Sequence, residues 1–217
     1  MTEQYYAIVD LEMCRVPKSI RRESFHYGTE LIQIGAVLLN GKYEIADSFV
    51  SFVRPEHGGI DATIAELTGI TGEQVKDAPV ARDALAAFAA WMPENAIPVS
   101  WSRTDEAQIR AEIEGKALEL PEMEPYLARW QDCQEQFGEK MGTPRAYALA
   151  EALIIADVDY EEGAHDALVD ARNTARLFAK MQTEEDFLLN SRYTAPEDAK
   201  QATYNPFAAL LAGYKAK

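Results

Sequence analysis

The segment YYAIVDLE, residues 5–12, decides how the rest of the chain is interpreted. It opens with an apolar run long enough for a buried β-strand and ends in two carboxylates, Asp10 and Glu12, separated by one residue. Because successive side chains of a strand point to opposite faces, these two carboxylates are expected on the same face as neighbours. Paired carboxylates repel each other, and a divalent cation with oxygen ligands makes such a pair tolerable. The alternative is a strand that simply ends in solvent, so further ligands must be sought elsewhere in the chain.

The composition indicates one soluble globular domain of ordinary size. The chain has 217 residues, of which 47% are hydrophobic and 10% aromatic, and this excludes a disordered or fibrous protein. Asp and Glu number 36 against 21 for Lys and Arg, a formal net charge of -15. The negative electrostatic field of such a protein opposes non-specific binding to long nucleic acid. Any phosphate-bearing substrate must therefore be bound through local contacts.

The cysteines and the hydropathy indicate the cellular setting. Cys14 and Cys133 lack the spacing of a disulfide framework or of a zinc site. The most apolar later stretch, residues 84–92, is too short to span a membrane. We therefore expect a cytoplasmic protein that makes no use of a membrane.

Strands and helices follow one another in an order typical of a mixed α/β sheet with helices on both faces. The strands are predicted at residues 5–12, 31–39, 43–53 and 96–101, with Asn40-Gly41 as the hairpin turn between the second and the third. The main helices are predicted at residues 61–67, 77–91, 105–115, 125–137, 146–153 and from 164 or 166 to 181.

Two acidic features are interpreted as facing solvent. Glu30 stands just before the second strand and is most simply a solvated strand-end charge. Residues 105–124 contain seven acids and two basic residues, which predicts that most of this helix and the following loop face water.

The polar segment after the first strand, residues 13–28, holds four basic residues and one acid. It is predicted to be a loop, and it leaves the strand beside the paired carboxylates. Its basic side chains are therefore placed to contact phosphates. These basic residues are Arg15, Lys18, Arg21 and Arg22. Phe25 and Tyr27 are available to stack on bases. The alternative is a solvated loop whose charges balance nearby acids.

A third carboxylate follows the fourth strand. The carboxyl ends of the strands form the site in sheets of this kind, and the sequence WSRTD, residues 101–105, delivers Asp105 to that edge. Asp105 equally suits the routine capping of the helix that it begins.

The segment GAHDALVD, residues 163–170, supplies a fourth carboxylate and a histidine. On one helix His165 and Asp170 would lie about 140° apart. They converge only if His165 occupies the loop before the helix, which Gly163 allows. Asp170 then projects a carboxylate toward the metal, and His165 is placed to take a proton. Asp166, one turn from Asp170, is a competing carboxylate that also suits helix capping.

Taken together, these residues resemble the DEDDh family of 3′-to-5′ exonucleases, which have a ribonuclease H-like fold. The similarity covers residues 5–181 and consists of blocks in the family order: DLE at 10–12, ELIQIGAV at 30–37, LTGIT at 67–71, SW at 100–101 and HDALVDARNTA at 165–175. The block with Trp101 resembles the branch that includes histone-mRNA and small-RNA 3′ exonucleases more than the proofreading branch.

The resemblance implies a mixed five-stranded sheet and hydrolysis with two ions of Mg²⁺ or Mn²⁺. It implies that Asp10 bridges both ions and that Glu12 and Asp170 hold the ion that activates water. Asp105 would act through the water shell of the second ion, and His165 would be the general base. The residues expected to contact the substrate are Leu11, Met13, Arg15 and Trp101.

The expected function is that of a 3′-to-5′ exonuclease which releases nucleoside monophosphates, with single-stranded RNA favoured over DNA. The alternatives are a DNA exonuclease of the repair or proofreading type, a non-catalytic interaction module on the same fold, and a sugar-phosphate or nucleotide hydrolase. We expect an exonuclease domain at residues 1–182 and a C-terminal extension at residues 183–217. The extension is predicted to pack on the domain or on a partner, which would include a second copy in a homodimer.

Overall fold

A computed structural model describes residues 3–21, 26–142, 145–163 and 165–184. The strands in these ranges are β1 (Tyr6–Arg15), β2 (Thr29–Leu39), β3 (Ile45–Phe52), β4 (Ile97–Ser100) and β5 (Gln131–Asp132). The helices are α1 (Lys18–Arg21), α2 (Ala62–Thr68), α3 (Gly72–Val75), α4 (Ala81–Trp91), α5 (Thr104–Gly115), α6 (Glu124–Leu127), α7 (Cys133–Lys140), α8 (Leu149–Ile155) and α9 (Ala167–Thr183).

The strands form one mixed sheet in the order β3-β2-β1-β4-β5. The pairs β1–β2 and β2–β3 are antiparallel, whereas β4 runs parallel to β1 and β5 runs parallel to β4. The predicted mixed five-stranded sheet is thus confirmed. β4 ends beside Val9 of the parallel strand β1, so Asp10 and Glu12 lie just past the carboxyl end of β4, next to the residues that follow it.

Helices cover both faces of the sheet, as predicted. On one face, Val9 of β1 belongs to a core that includes Phe88 of α4. On the other face, Ile8 of β1 belongs to a core that includes Phe178 of α9. Asp10 and Glu12 continue the alternation from Ile8, so both carboxylates are on the α9 face.

Two predicted elements, one strand and one helix, were wrong in extent. β1 continues to Arg15 instead of ending at Glu12, because a register shift after Glu12 lets the strand go on pairing with β2. The segment predicted as one helix at 125–137 is divided into α6, β5 and α7. The indole N–H of Trp130 donates to Ser100 Oγ at 2.9 Å, and this bond aligns the segment with β4.

Glu30 is fully buried, so its interpretation as a solvated charge was wrong. Its carboxylate accepts hydrogen bonds from the backbone N–H groups of Glu56, His57 and Gly58 at 2.6, 2.9 and 2.6 Å. Lys116 Nζ lies 2.6 Å from Glu30 Oε1. Burial alone would raise the pKa of Glu30, but Lys116 and the N–H donors lower it below its ordinary value.

Part of the acidic helix α5 is also buried, against the prediction that it faces water. Glu112 is fully buried, and its Oε1 accepts from the Leu31 N–H at 2.6 Å. Its Oε2 lies 2.8 Å from Lys116 Nζ. Lys116, with a side chain only 5% exposed, therefore joins α5, β2 and the loop at residues 56–58.

Lys116→Met is expected to lower the free energy of unfolding by roughly 3–5 kcal/mol, because it leaves buried carboxylates without their cation. Urea unfolding of both proteins measures the change. The control is Lys76→Met, which removes an exposed ion pair with Glu73 and should leave stability within error. Equal stability of the two variants would contradict the conclusion that Lys116 stabilises the fold by neutralising buried carboxylates.

The C-terminal extension predicted at residues 183–217 lies outside the described residues from position 185 onward, and its packing stays a prediction. In the described ranges, no helix has the length and apolar character needed to cross a membrane.

Candidate metal centre

Glu12, His165 and Asp170 converge at the part of β1 that runs past the carboxyl end of β4. Each offers one ligand atom, and these three atoms all lie within 4.8 Å of one another. Glu12 is 3% exposed, whereas His165 and Asp170 keep partial contact with solvent. The arrangement is a partly exposed cluster of two carboxylates and one imidazole.

The start of α9 explains how His165 and Asp170 meet. His165 precedes the helix and has a left-handed backbone with φ of 66°. Its backbone N–H donates to Asp170 Oδ2 at 2.9 Å. Asp166 is the N-cap, and its Oδ1 accepts from the N–H groups of Leu168 and Val169 at 3.0 and 3.2 Å. Asp166 is thus used for capping, and Asp170 is the carboxylate that joins Glu12.

Two residues of β2 dock α9 against the carboxylates. Across the β1–β2 ladder, Asp10 pairs with Gly35 and Glu12 pairs with Gln33. Gln33 Oε1 accepts from the Ala167 N–H at 3.2 Å. A Cβ on Gly35 would lie 2.2 Å from the carbonyl carbon of Ala167, so only glycine allows this approach. Gln33 and Gly35 were not predicted to have a role, although their pairing with Glu12 and Asp10 across the ladder distinguishes them from the rest of β2.

Asp105 reaches the same region from α5. Its Oδ1 accepts from the Leu11 N–H at 3.0 Å, between the two carboxylates of β1. Asp105 is 7% exposed and lies inside the first turn of α5, whose N-cap is Arg103. The alternative interpretation of Asp105 as a routine cap was therefore wrong, because its carboxylate binds β1.

These carboxylates repel one another. Burial raises the pKa of Asp10 and of Glu12 well above the ordinary values, and the charges of Asp105 and Asp170 raise both further. Burial also raises the pKa of Asp105 to about 7, although the Leu11 N–H opposes the change. Burial raises the pKa of Asp170, and the His165 N–H opposes it. Among the ion pairs of the described residues, none reaches any of the four carboxylates.

The metal-free protein is expected to lose stability as pH rises. A carboxyl whose pKa is raised on folding holds its proton more tightly in the folded state. Its stabilising contribution is complete at low pH and is lost as pH rises to the folded value. For Asp105 this window runs from about pH 4 to about pH 7.

Urea unfolding in chelator at pH 5 and pH 8 measures this loss. The matched variant is Asp105→Asn, which keeps an oxygen to accept from the Leu11 N–H and should show the smaller drop. The wild type must be compared with Asp105→Asn, because the net charge of -15 also weakens the fold as pH rises and affects both proteins. An equal drop in both proteins would count against the raised pKa of Asp105.

The side chains predicted to contact substrate are mostly buried. Leu11 and Met13 are 4% and 3% exposed and belong to the core on the face opposite Asp10 and Glu12. Trp101 is 9% exposed, and its indole N–H donates to the Tyr147 carbonyl at 3.0 Å. The substrate contacts of all three residues stay predictions.

Arg15 ends β1 in an antiparallel bridge with Gly59 and is partly buried. The predicted loop after it contains the short helix α1 with exposed Lys18. Arg22, Phe25 and the side chain of Arg21 lie outside the described residues, so their predicted contacts stay predictions.

The chain belongs to an exonuclease family. Residues 7–178 match the family described as exonuclease and designated RNase T, a span that contains the five residues of the predicted site. The resemblance to exonucleases found in the sequence is thereby confirmed.

Individual relatives agree with this membership. The chain is 31% identical over 209 residues to ERI1 exoribonuclease 2 of Danio rerio, covering 85% of this chain and 36% of the relative. It is 32% identical over 159 residues to DNA polymerase III PolC-type of Caldanaerobacter subterraneus, covering 70% of this chain and 10% of the relative. The chain thus spans about a third or less of these two proteins.

A solved structure has the same fold. The nuclease domain of 3′hExo, a DEDDh family member bound to rAMP, superposes with a TM-score of 0.71 at 25% identity. The match covers 87% of this chain and 97% of that domain. The ribonuclease H-like fold expected from the sequence is confirmed.

Proposed function

We propose that this chain is a metal-dependent 3′-to-5′ exonuclease that hydrolyses single-stranded RNA and releases nucleoside monophosphates. The observation that carries the proposal is the convergence of Glu12, His165 and Asp170 within 4.8 Å. Family membership supports a phosphodiester bond as the bond that such a cluster attacks.

The proposed metal ligands are the carboxylates of Asp10, Glu12, Asp105 and Asp170. All four present oxygen, which hard cations such as Mg²⁺ and Mn²⁺ prefer. Burial and the negative charges of neighbouring carboxylates raise the pKa of each carboxyl, so the donor set fits divalent cations, of which the family resemblance implies two. When bound, such ions activate a water molecule and neutralise charge on the phosphoryl oxygens.

The proposed general base is His165. Its backbone N–H is bound by Asp170, and its imidazole offers a nitrogen within 4.8 Å of oxygens of Glu12 and Asp170. Histidine changes charge near neutral pH. A neutral ring nitrogen, Nδ1 or Nε2, can therefore accept the proton of the attacking water.

Because the chain is acidic, a polyanionic substrate must be bound through local attractive contacts. A net charge of -15 repels a polyanion, so the proposed ions supply most of the attraction for phosphate. Arg15 is proposed to add to it, because it ends β1 three residues beyond Glu12 and is only partly buried.

RNA is proposed as the preferred substrate because one relative is an exoribonuclease and the superposed nuclease domain holds rAMP. The second candidate is a DNA exonuclease, which the similarity to DNA polymerase III PolC-type favours. The 2′-hydroxyl distinguishes the two substrates, and the chemistry of the metal site is the same for both.

The proposal is tested with a 5′-labelled single-stranded RNA, the single-stranded DNA of the same sequence, and duplexes of each. We expect a ladder that shortens from the 3′ end, forms faster on the single-stranded RNA than on DNA, and disappears with chelator. Faster shortening of DNA would favour the second candidate. No shortening of any substrate with Mg²⁺ or Mn²⁺ would overturn the proposal.

The setting and the assembly are also proposals. Cys14 and Cys133 are buried free thiols, which supports a reducing cytoplasm. Residues 1–182 are proposed as the exonuclease domain, with residues 183–217 as an extension that packs on it or on a second copy. Light scattering of the full chain, compared with a chain ending at residue 184, tests the homodimer.

A further inference from the structure

The loop that leads to His165 is tied to α9 by a buried amide. Asn173 is fully buried, and its Nδ2 donates to the Glu161 carbonyl at 3.0 Å. In return, the Glu161 N–H donates to Asn173 Oδ1 at 2.9 Å. Both ends of one side-chain amide therefore bind the backbone of a residue four positions before His165.

The same residue lies beside the proposed metal ligand. Asn173 follows Asp170 by three residues on α9, so the two side chains are neighbours on one face of the helix. Asp170 Oδ2 in turn accepts from the His165 N–H at 2.9 Å. Glu161, Asn173, Asp170 and His165 thus form a closed ring of chain and hydrogen bonds, with Asn173 as its buried member.

The Glu161 side chain adds a second, more exposed attachment. Its carboxylate accepts from Arg172 at 3.2 Å and from Arg176 at 2.6 Å. The side chains of these two arginines are 38% and 40% exposed, and exposed ion pairs hold weakly. Asn173 is therefore the stronger anchor of the loop.

The conformation of the loop needs such an anchor. His165 has φ of 66°, and a non-glycine residue keeps a left-handed backbone only where its surroundings hold it there. The turn is closed by the Asp166 N–H, which donates to the Gly163 carbonyl at 3.1 Å. Releasing the loop at Glu161 would free the chain to relax the strained backbone of His165.

We infer that Asn173 is a positioning residue, which fixes the imidazole of His165 beside the carboxylate cluster by binding the backbone of Glu161. The inference rests on the proposed role of His165 and deepens it, since it names what holds the base in place. Asn173 touches neither substrate nor metal in this account.

A double-mutant cycle tests the inference with the full chain. Asn173→Ala is expected to lower kcat by about 10–100-fold, with KM changed less than about threefold. In a His165→Ala background the same substitution should lower the residual rate by less than about threefold, because the group that it positions is already absent. An equal fold-loss in both backgrounds would overturn the inference.

The control is Thr174→Val, on the next residue of α9. Thr174 is 1% exposed, and its hydroxyl has no hydrogen-bond partner among the described residues. Loss of that hydroxyl should leave kcat unchanged in either background. If Asn173→Ala does not fold, Asn173→Asp takes its place, since it keeps the acceptor for the Glu161 N–H.

A measurement that does not depend on catalytic activity distinguishes failure of this inference from failure of the proposed function. The chain has three histidines, His26, His57 and His165, so histidine-labelled metal-free protein gives three ring signals by NMR. Asn173→Ala should shift or broaden the His165 signal and leave the other two in place. An unchanged His165 signal would overturn the inference, even if the wild-type protein proves to have no exonuclease activity.

Discussion

Gly35→Ala is expected to destabilise the protein by about 3 kcal/mol and to lower the hydrolysis rate roughly 100-fold. The added Cβ would lie 2.2 Å from a backbone atom of Ala167, and backbone cannot rotate away as a side chain can. The start of α9 must therefore move off β2. That movement displaces His165 and Asp170 from Asp10 and Glu12.

The control for Gly35→Ala is Gly72→Ala. A Cβ on Gly72 meets nothing within 4 Å, and alanine is the better helix former in α3. Urea unfolding and the rate on labelled RNA are measured for both variants. If Gly35→Ala proved as stable and as active as Gly72→Ala, the tight docking of α9 against β2 would be refuted.

Asp10→Ala is expected to abolish hydrolysis, a loss of roughly 10³-fold or more, without unfolding the chain. Metal ions contribute several kcal/mol to phosphoryl transfer, and each 1.36 kcal/mol is a factor of ten in rate. In chelator, the variant should be at least as stable as the wild type, because burial and the neighbouring carboxylates disfavour the charged form of Asp10 and the change removes that unfavourable group.

Stability in chelator and activity in Mg²⁺ together test this expectation. Asp83→Ala, on an exposed residue of α4, serves as the control and should change neither. Wild-type activity in Asp10→Ala would remove Asp10 from the proposed site. A large loss of metal-free stability would instead assign Asp10 a structural role.

Local patterns in the sequence were sufficient for the parts of the site that depend on neighbouring residues. Strand alternation placed Asp10 and Glu12 on one face. The helix period placed His165 in the loop before α9, since no continuous helix brings it to Asp170. In both cases the structure agrees because the relevant distance is fixed within a few residues.

Other features depend on contacts between distant residues, which no local pattern reports. Glu112 accepts from the Leu31 N–H across 81 positions, and its neighbour Lys116 also neutralises Glu30. Gln33 accepts from the Ala167 N–H across 134 positions. Glu30 and Glu112, which were predicted to face solvent, are therefore buried, because Lys116 is buried beside them and neutralises their charge.

The two-residue strand β5 could not be predicted from a local sequence pattern either. It pairs only Gln131 and Asp132 with β4, too short a run for any periodicity to appear. Its position depends on the bond from Trp130 to Ser100, and helical residues on either side concealed it.

Calorimetric titration of Mn²⁺ into metal-free protein at pH 7 tests most directly the claim that the carboxylates form a divalent metal centre. We expect saturable binding to the wild type with release of protons, because carboxyls with raised pKa must give up protons to bind a cation. His165→Ala should keep this binding, and Asp10→Ala should lose most of it. Equal binding by wild type and Asp10→Ala, or no binding by the wild type, would contradict a divalent metal centre at these carboxylates.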